Sequence, residues 1–469
     1  MRGGAACQVS RRQHRQEWPL SLAYRRTKER IMQQASDLWA DRPMTGRQML
    51  VIAMCCILNA FDGIDILAIS FASPGIAAEW SISKAQLGVV LSMELIGMAL
   101  GAAVLGHLAD RFGRRALVLA CLIVTSAGMW VATQASSVTM LSVIRFLTGC
   151  GIGGMIAIAH AYASEFSSAS KRNFCIALVG VGWPIGAIVG GSLASAFISQ
   201  EDWRHVFFAG AALSTLFLPI AWIAFPESVA YLLDRQPPNA LARVNAVFRS
   251  LGHRELQKLP ELASAVSART GVTAPLLYGL TAALAAAYFF DSMTYYFLLK
   301  WSPKIVADLG FGAAAGASVL VWGTIGQFAA LILTGWAATK ISVRKLLPPA
   351  LILTALGISA FGVVGPSLFN LKLVMAVGTF FNQAANSLLI MLLIESFPTV
   401  IRGGRVGLCM GIGRGGAALS PILAGVMLAQ DVPLSIVTIA LACPVLVTAG
   451  IVLALGRGAR EAPVPQPAM

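Results

Sequence analysis

The chain has 469 residues, of which 57% are hydrophobic and 12% charged, and its formal net charge is +14. Soluble domains carry about 25% charged residues, so this composition excludes a soluble fold. In a membrane protein an excess of Lys and Arg reports topology, so the charge implies no nucleic-acid partner. Seven cysteines (Cys55, Cys56, Cys121, Cys150, Cys175, Cys409 and Cys443) lie in apolar runs without paired spacing and read as small packing residues. No metal or haem spacing is present, and no cofactor is expected.

Residues 1–48 form a basic tail. Its first 31 residues hold eight Arg and Lys and no long apolar core, unlike a signal peptide. The tail reads either as a cytoplasmic extension or as an over-extended start with Met32 as the first residue. Twelve apolar runs then reach the roughly 20 residues needed to cross a bilayer: 49–77, 86–108, 115–134, 139–163, 174–198, 205–225, 275–301, 314–338, 346–366, 371–396, 404–428 and 433–456. The polar gap 226–274 separates a six-span first half, 49–225, from a six-span second half, 275–456, and 457–469 is a short tail. Amphipathic spacing at Leu241, Val244, Val247 and Phe248 predicts short helices in the gap.

With the N-terminus inside, most of the 35 Lys and Arg fall on the inner side. Lys84, Arg204, Lys304 and Lys372 fall outside, and Arg145, Lys300 and Arg414 fall within spans. This bias predicts twelve spans with both termini on the cytoplasmic side.

The first span carries Asn59-Ala-Phe-Asp62-Gly-Ile-Asp65. The spacing of three puts Asp62 and Asp65 on one helix face, and an acid inside hydrocarbon is costly enough to read as functional. After the second span comes Gly106-His-Leu-Ala-Asp110-Arg111-Phe-Gly113-Arg114-Arg115, where Asp110 is placed to pair with arginines and cap a neighbouring helix end. The matching loop after the eighth span, Gly335 to Lys345, lacks the acid. In the fourth span Arg145 is about 9 Å deep at 1.5 Å per residue. It is followed by Gly149, Gly151, Gly153 and Gly154, which allow close helix approach. Its candidate partners are Asp62, Asp65 and Glu165; the alternative is an interfacial Arg that snorkels. Glu165 to Arg172 closes the fourth span as Glu395 to Arg402 closes the tenth, so the halves repeat.

These motifs resemble those of the major facilitator superfamily: the loop after the second span matches its signature in full, and the fourth-span Arg-Gly motif is similar. The fifth span, with Gly182-Trp183-Pro184, departs from the superfamily's antiporter pattern. Within the superfamily the chain resembles the aromatic acid/proton symporters. The resemblance rests on Asp62-Gly-Ile-Asp65, Pro226-Glu227-Ser228, Tyr296 to Pro303, Glu395 to Arg402, and Gly411-Ile-Gly413-Arg414-Gly-Gly416. It implies an all-α membrane protein with the major facilitator fold, twelve helices in two six-helix halves. It also implies proton-coupled uptake of an aromatic carboxylate by a monomer, driven by the proton gradient. Alternatives within transport are another organic anion or sugar-like metabolite, or exchange; outside it, a transport-dead sensor. No catalytic constellation is present.

A flat aromatic acid needs one cation, a few hydrogen-bond donors and apolar walls. Arg414, about 15 Å into the eleventh span, is the expected carboxylate anchor, because a guanidinium matches a carboxylate bidentately. By the internal repeat it corresponds to Trp183, facing the centre; the alternative is a structural pairing with Asp291 or Glu395. Tyr288, Tyr295, Tyr296, Phe290, Trp322 and Phe381 are candidate walls. Gln327, Asn382, Gln383, Asn386 and Asp291 are candidate readers of ring substituents. Proton coupling is expected at Asp62 and Asp65, with Arg145 and Glu165 in support. Gating is expected at Gly106, Asp110, Arg111, Gly113, Arg114, Arg115, Glu395 and Arg402. His160, a lone polar side chain in a Gly/Ala-rich helix, reads as hydrogen-bonded filler.

Overall fold

A computed structural model describes residues 44–168, 171–197, 202–252, 255–259, 274–397 and 399–461; most of the basic tail lies outside them. Six long helices build the first half: α1 (Gly46–Trp80), α2 (Lys84–Phe112), α3 (Arg114–Ala132), α4 (Val138–Phe166), α5 (Arg172–Phe197) and α6 (Arg204–Ala224). The predicted gap helices are α7 (Val229–Arg235) and α8 (Ala240–Leu251). The second half follows as α9 (Ala274–Val306), α10 (Ala313–Lys340), α11 (Val343–Phe361), α12 (Leu368–Ser396), α13 (Thr399–Ala429) and α14 (Leu434–Glu461). Twelve of these helices are long and apolar enough to cross a membrane.

Helix starts are written in the sequence. Thr45 and Gln48 form a capping box at α1, and Ser83 with Gln86 forms another at α2. Each satisfies two amide donors that helix geometry leaves without partners. Interior Pro74, Pro184, Pro303 and Pro421 lie inside long helices, as tight membrane packing tolerates.

Glycine sets the closest crossing. Along α2 and α4, Gly97 lies against the Phe146 carbonyl and Gly149 against the Glu94 carbonyl, where any Cβ would collide. The fourth-span glycines thus act as the sequence predicts. They bring Glu94 and Arg145 onto facing backbones.

The two halves meet at the end of the bundle away from the termini. There Gly88 of α2 packs on the Pro421 carbonyl and Gly425 of α13, Gly191 of α5 packs on Val321 of α10, and Ser195 donates to the Ala314 carbonyl at 3.2 Å. Toward the termini the same interface loosens: a Cβ on Gly407 or Gly411 of α13 would meet nothing within 4 Å. Those glycines share a face with Arg414.

Candidate functional site

Four charged side chains are linked in the buried centre. Arg145 Nη1 donates to Asp65 Oδ1 at 2.6 Å, and Nη2 donates to the Asp65 carbonyl at 2.9 Å. Arg145 Nη2 also lies 2.6 Å from Glu94 Oε1. Lys300 of α9 completes the chain, donating to Glu94 Oε2 at 3.0 Å and to the Ile66 carbonyl at 2.5 Å. Arg145 and Lys300 are both 0% exposed, so Arg145 does not snorkel: it is a paired interior cation. Buried charges persist only with such compensation.

Asp62 behaves differently. It is buried, and among the described residues neither carboxylate oxygen has a hydrogen-bond partner. It lines a narrow cleft inside the first half together with Asp65, Thr125, Met129, Met155 and Ser214. Its electrostatic surroundings include Asp65, Glu94 and Arg414.

Arg414 is half-buried on α13. Its Nη1 reaches Tyr296 Oη at 3.4 Å and the Met98 sulfur of the first half at 4.0 Å. Among the described residues no carboxylate forms an ion pair with it, so the structural pairing with Asp291 or Glu395 is not what the chain makes. Asp291 instead accepts from Asn386 Nδ2 at 2.8 Å, and Glu395 is exposed. Tyr288, next to Asn386, packs where a Cβ on Gly413 would fall. Tyr295 donates to Gln383 Oε1 at 2.8 Å and sits edge-on to Tyr296. Tyr288, Tyr295, Tyr296, Asp291, Gln383, Asn386 and Arg414 therefore form one polar, aromatic group in the second half. Gln327 and Asn382 are buried, and Asn382 leaves both amide atoms unpartnered. Trp322 is exposed, and Phe290 and Phe381 sit edge-on to their sequence neighbours Phe289 and Phe380. His160 Nδ1 contacts the Ile156 carbonyl at 2.9 Å within its own helix.

Glu165 requires a correction of place. It is not near Arg145; it pairs with Arg114 and accepts from Ser228 Oγ at 2.5 Å, at the termini end of α4. The reason is the length of α4: Arg145 and Glu165 are twenty positions apart (165 − 145), about 30 Å along a helix. The cluster there is tight. Glu227 Oε1 accepts from the backbone amides of Arg114 and Arg115 at 3.0 and 3.1 Å, capping the positive end of α3. Gly113 turns the chain with φ +98° beside that carboxylate, a conformation glycine adopts freely. Arg115 donates to the Trp222 carbonyl at 2.6 Å, and Tyr162 donates to the Pro226 carbonyl. Arg111 is exposed over Phe112, and Gly106 has open space at its Cβ position. The side chains of Asp110 and Arg402 lie outside the described residues.

Three residues escaped the sequence reading. Glu94 is a lone acid in an apolar run, the same signal that marks Asp62, and it went unread. Lys300 was located in a span but given no partner. Glu227 is part of a motif in the sequence, and in the fold it also caps α3.

Twelve membrane-length helices in two halves of six, joined by buried charges, are the architecture of a membrane transporter. The family model described as Major Facilitator Superfamily matches residues 55–326, and the chain belongs to that superfamily. It is 28% identical to the gallate transporter of Pseudomonas putida, over 89% of this chain and 94% of the relative. It is 29% identical to the 4-hydroxybenzoate transporter PcaK of the same organism, over 81% and 86%. A bacterial homolog of the human lysosomal transporter Spinster, solved inward-facing and unoccupied, superposes with a TM-score of 0.67 at 17% identity, covering 90% of this chain and all of that one.

Proposed function

We propose that this chain carries an aromatic carboxylate together with a proton across the bacterial inner membrane by alternating access, with both termini in the cytoplasm. The observation that carries the reading is Arg414: a half-buried cation beside Tyr296 that also reaches Met98 of the first half, with no carboxylate paired to it among the described residues. A guanidinium so placed fits a planar carboxylate, and the Tyr288–Tyr295–Tyr296 group offers flat walls for a ring. The names of the relatives, which carry gallate and 4-hydroxybenzoate, favour the same class.

Coupling follows from charge balance. Asp65 and Glu94 are matched by Arg145 and Lys300, leaving the buried acids Asp62 and Asp291 with Arg414, which lies in the electrostatic surroundings of Asp62. Asp291 keeps a hydrogen bond from Asn386, whereas Asp62 has none among the described residues. A substrate anion arriving at Arg414 takes the role of counter-charge. Asp62 is then left buried without compensation, and taking up a proton removes the cost of its charge. In this reading Asp62 carries the proton, Asp65 and Arg145 hold the first span in place, and substrate and proton enter together. The basic bias of the loops on the termini side supports the orientation.

The test is uptake into proteoliposomes. Labelled gallate, 4-hydroxybenzoate and benzoate are offered with and without an inward-directed proton gradient. Accumulation that follows the gradient is expected; no gradient-dependent accumulation of any of them defeats the reading.

A further inference from the structure

We propose that Lys300 is a positioning residue for transport: it ties the second half to the acid cluster of the first and holds the gate away from the termini shut. This rests on the transport reading above.

Lys300 stands on α9, in the second half, yet both of its hydrogen-bond partners belong to the first half: the Ile66 carbonyl on α1 at 2.5 Å and Glu94 Oε2 on α2 at 3.0 Å. Glu94 gives its other oxygen to Arg145, and Arg145 reaches on to Asp65. The four side chains are thus joined in the order Asp65, Arg145, Glu94, Lys300, and the crossing between halves is made by the last link. Ile66 follows Asp65 directly, so Lys300 also grips the backbone of the coupling helix beside its paired acid.

The neighbouring contacts across this gate carry no charge, the Ser195–Ala314 hydrogen bond included. Gly88 against Pro421 and Gly425, and Gly191 against Val321, are backbone and apolar contacts. Such contacts slide apart gradually, whereas a buried ammonium torn from both acceptors is left uncompensated. Opening this gate therefore requires Lys300 to leave Glu94. Glu94 then keeps Arg145 as its cation, and Arg145 is shared with Asp65. The position of the gate and the ionic state of the first-span cluster become one equilibrium, biased by whatever changes either.

The experiment reads gate position without substrate, so its failure is distinct from failure of the aromatic-acid reading. Nitroxide labels are placed at Ser83 and Leu309, exposed residues of opposite halves at the gate end. The background lacks reactive cysteines, and distances are measured by pulsed electron resonance in nanodiscs. The parent gives one short distance. Lys300→Met adds a second, longer-distance population, and Lys300→Arg returns the distribution toward the parent. Should Lys300→Met fail to fold, Glu94→Gln read on the same labels carries the same expectation. A folded Lys300→Met or Glu94→Gln protein that keeps the parent's short distance overturns the proposal.

Discussion

Asp62 and Asp65 lie three residues apart on α1, yet Arg145 holds Asp65 at 2.6 Å while neither oxygen of Asp62 finds a partner among the described residues. Sequence spacing makes the two acids equivalent, and the fold makes them opposites. Asp62→Asn removes an acid that makes no hydrogen bond in the fold, so thermal stability is expected to hold or rise while gradient-driven accumulation is lost. Asp65→Asn leaves Arg145 short of a counter-charge and is expected to cost about 3–5 kcal/mol, the scale of breaking a buried pair. Melting curves of the two purified variants, set beside their uptake, check both. Equal melting temperatures for the pair would contradict the division of roles.

Arg414→Ala is expected to weaken aromatic-acid binding by roughly a hundredfold, about 2.7 kcal/mol, in line with hydrogen bonds to a charged group. Arg414→Lys should recover part of the loss, since an ammonium keeps the charge but not the planar fork. Calorimetric titration of the detergent-solubilised protein reads this directly. Undiminished affinity in Arg414→Ala places the anchor elsewhere.

Glu227→Ala strips the cap from α3 and releases the amides of Arg114 and Arg115. Loss of a helix N-terminal cap costs about 0.5–2 kcal/mol. A lowered melting temperature is expected, with substrate affinity per folded molecule preserved, because the cluster stands at the termini end of the bundle. A change in affinity with unchanged melting would mean that the cluster does something other than hold the fold.

Gly149→Val drives a branched side chain into the Glu94 carbonyl. Overpacking of this kind costs typically about 1–3 kcal/mol, and here it also pushes Glu94 away from Arg145. Folded yield on size-exclusion chromatography is expected to fall sharply, whereas Gly407→Ala, with open space around it, should leave yield intact. Similar yields for the two substitutions would show that the α2–α4 crossing tolerates expansion.

Much of the fold is legible in the sequence because a bilayer simplifies the problem. Spans must be long and apolar, and breaks must be polar, so twelve runs and one gap translate directly into helices and halves. Arg145 and Arg414 were visible for the same reason: a charge inside a span has to be explained. Partner choice was not legible. Whether Arg145 meets Asp62, Asp65 or Glu165 depends on helix rotation and crossing depth, which the α2–α4 glycines fix in three dimensions. Glu94 shows how a cue goes unread when it stands alone, and Glu227 how a motif conceals a cap whose target lies far away in sequence.

The cap on α3 also bears on how the protein is made. Arg114 and Arg115 lie at the start of the third span, while the carboxylate that satisfies their amides stands after the sixth. During synthesis the third helix enters the membrane with its leading amides waiting for Glu227 to leave the ribosome. The first half can therefore lock only when its last segment has been translated, and that same residue opens the connection to the second half. Completion of the first half thus waits until the segment carrying Glu227 has cleared the ribosome, by which time synthesis of the second half is already under way.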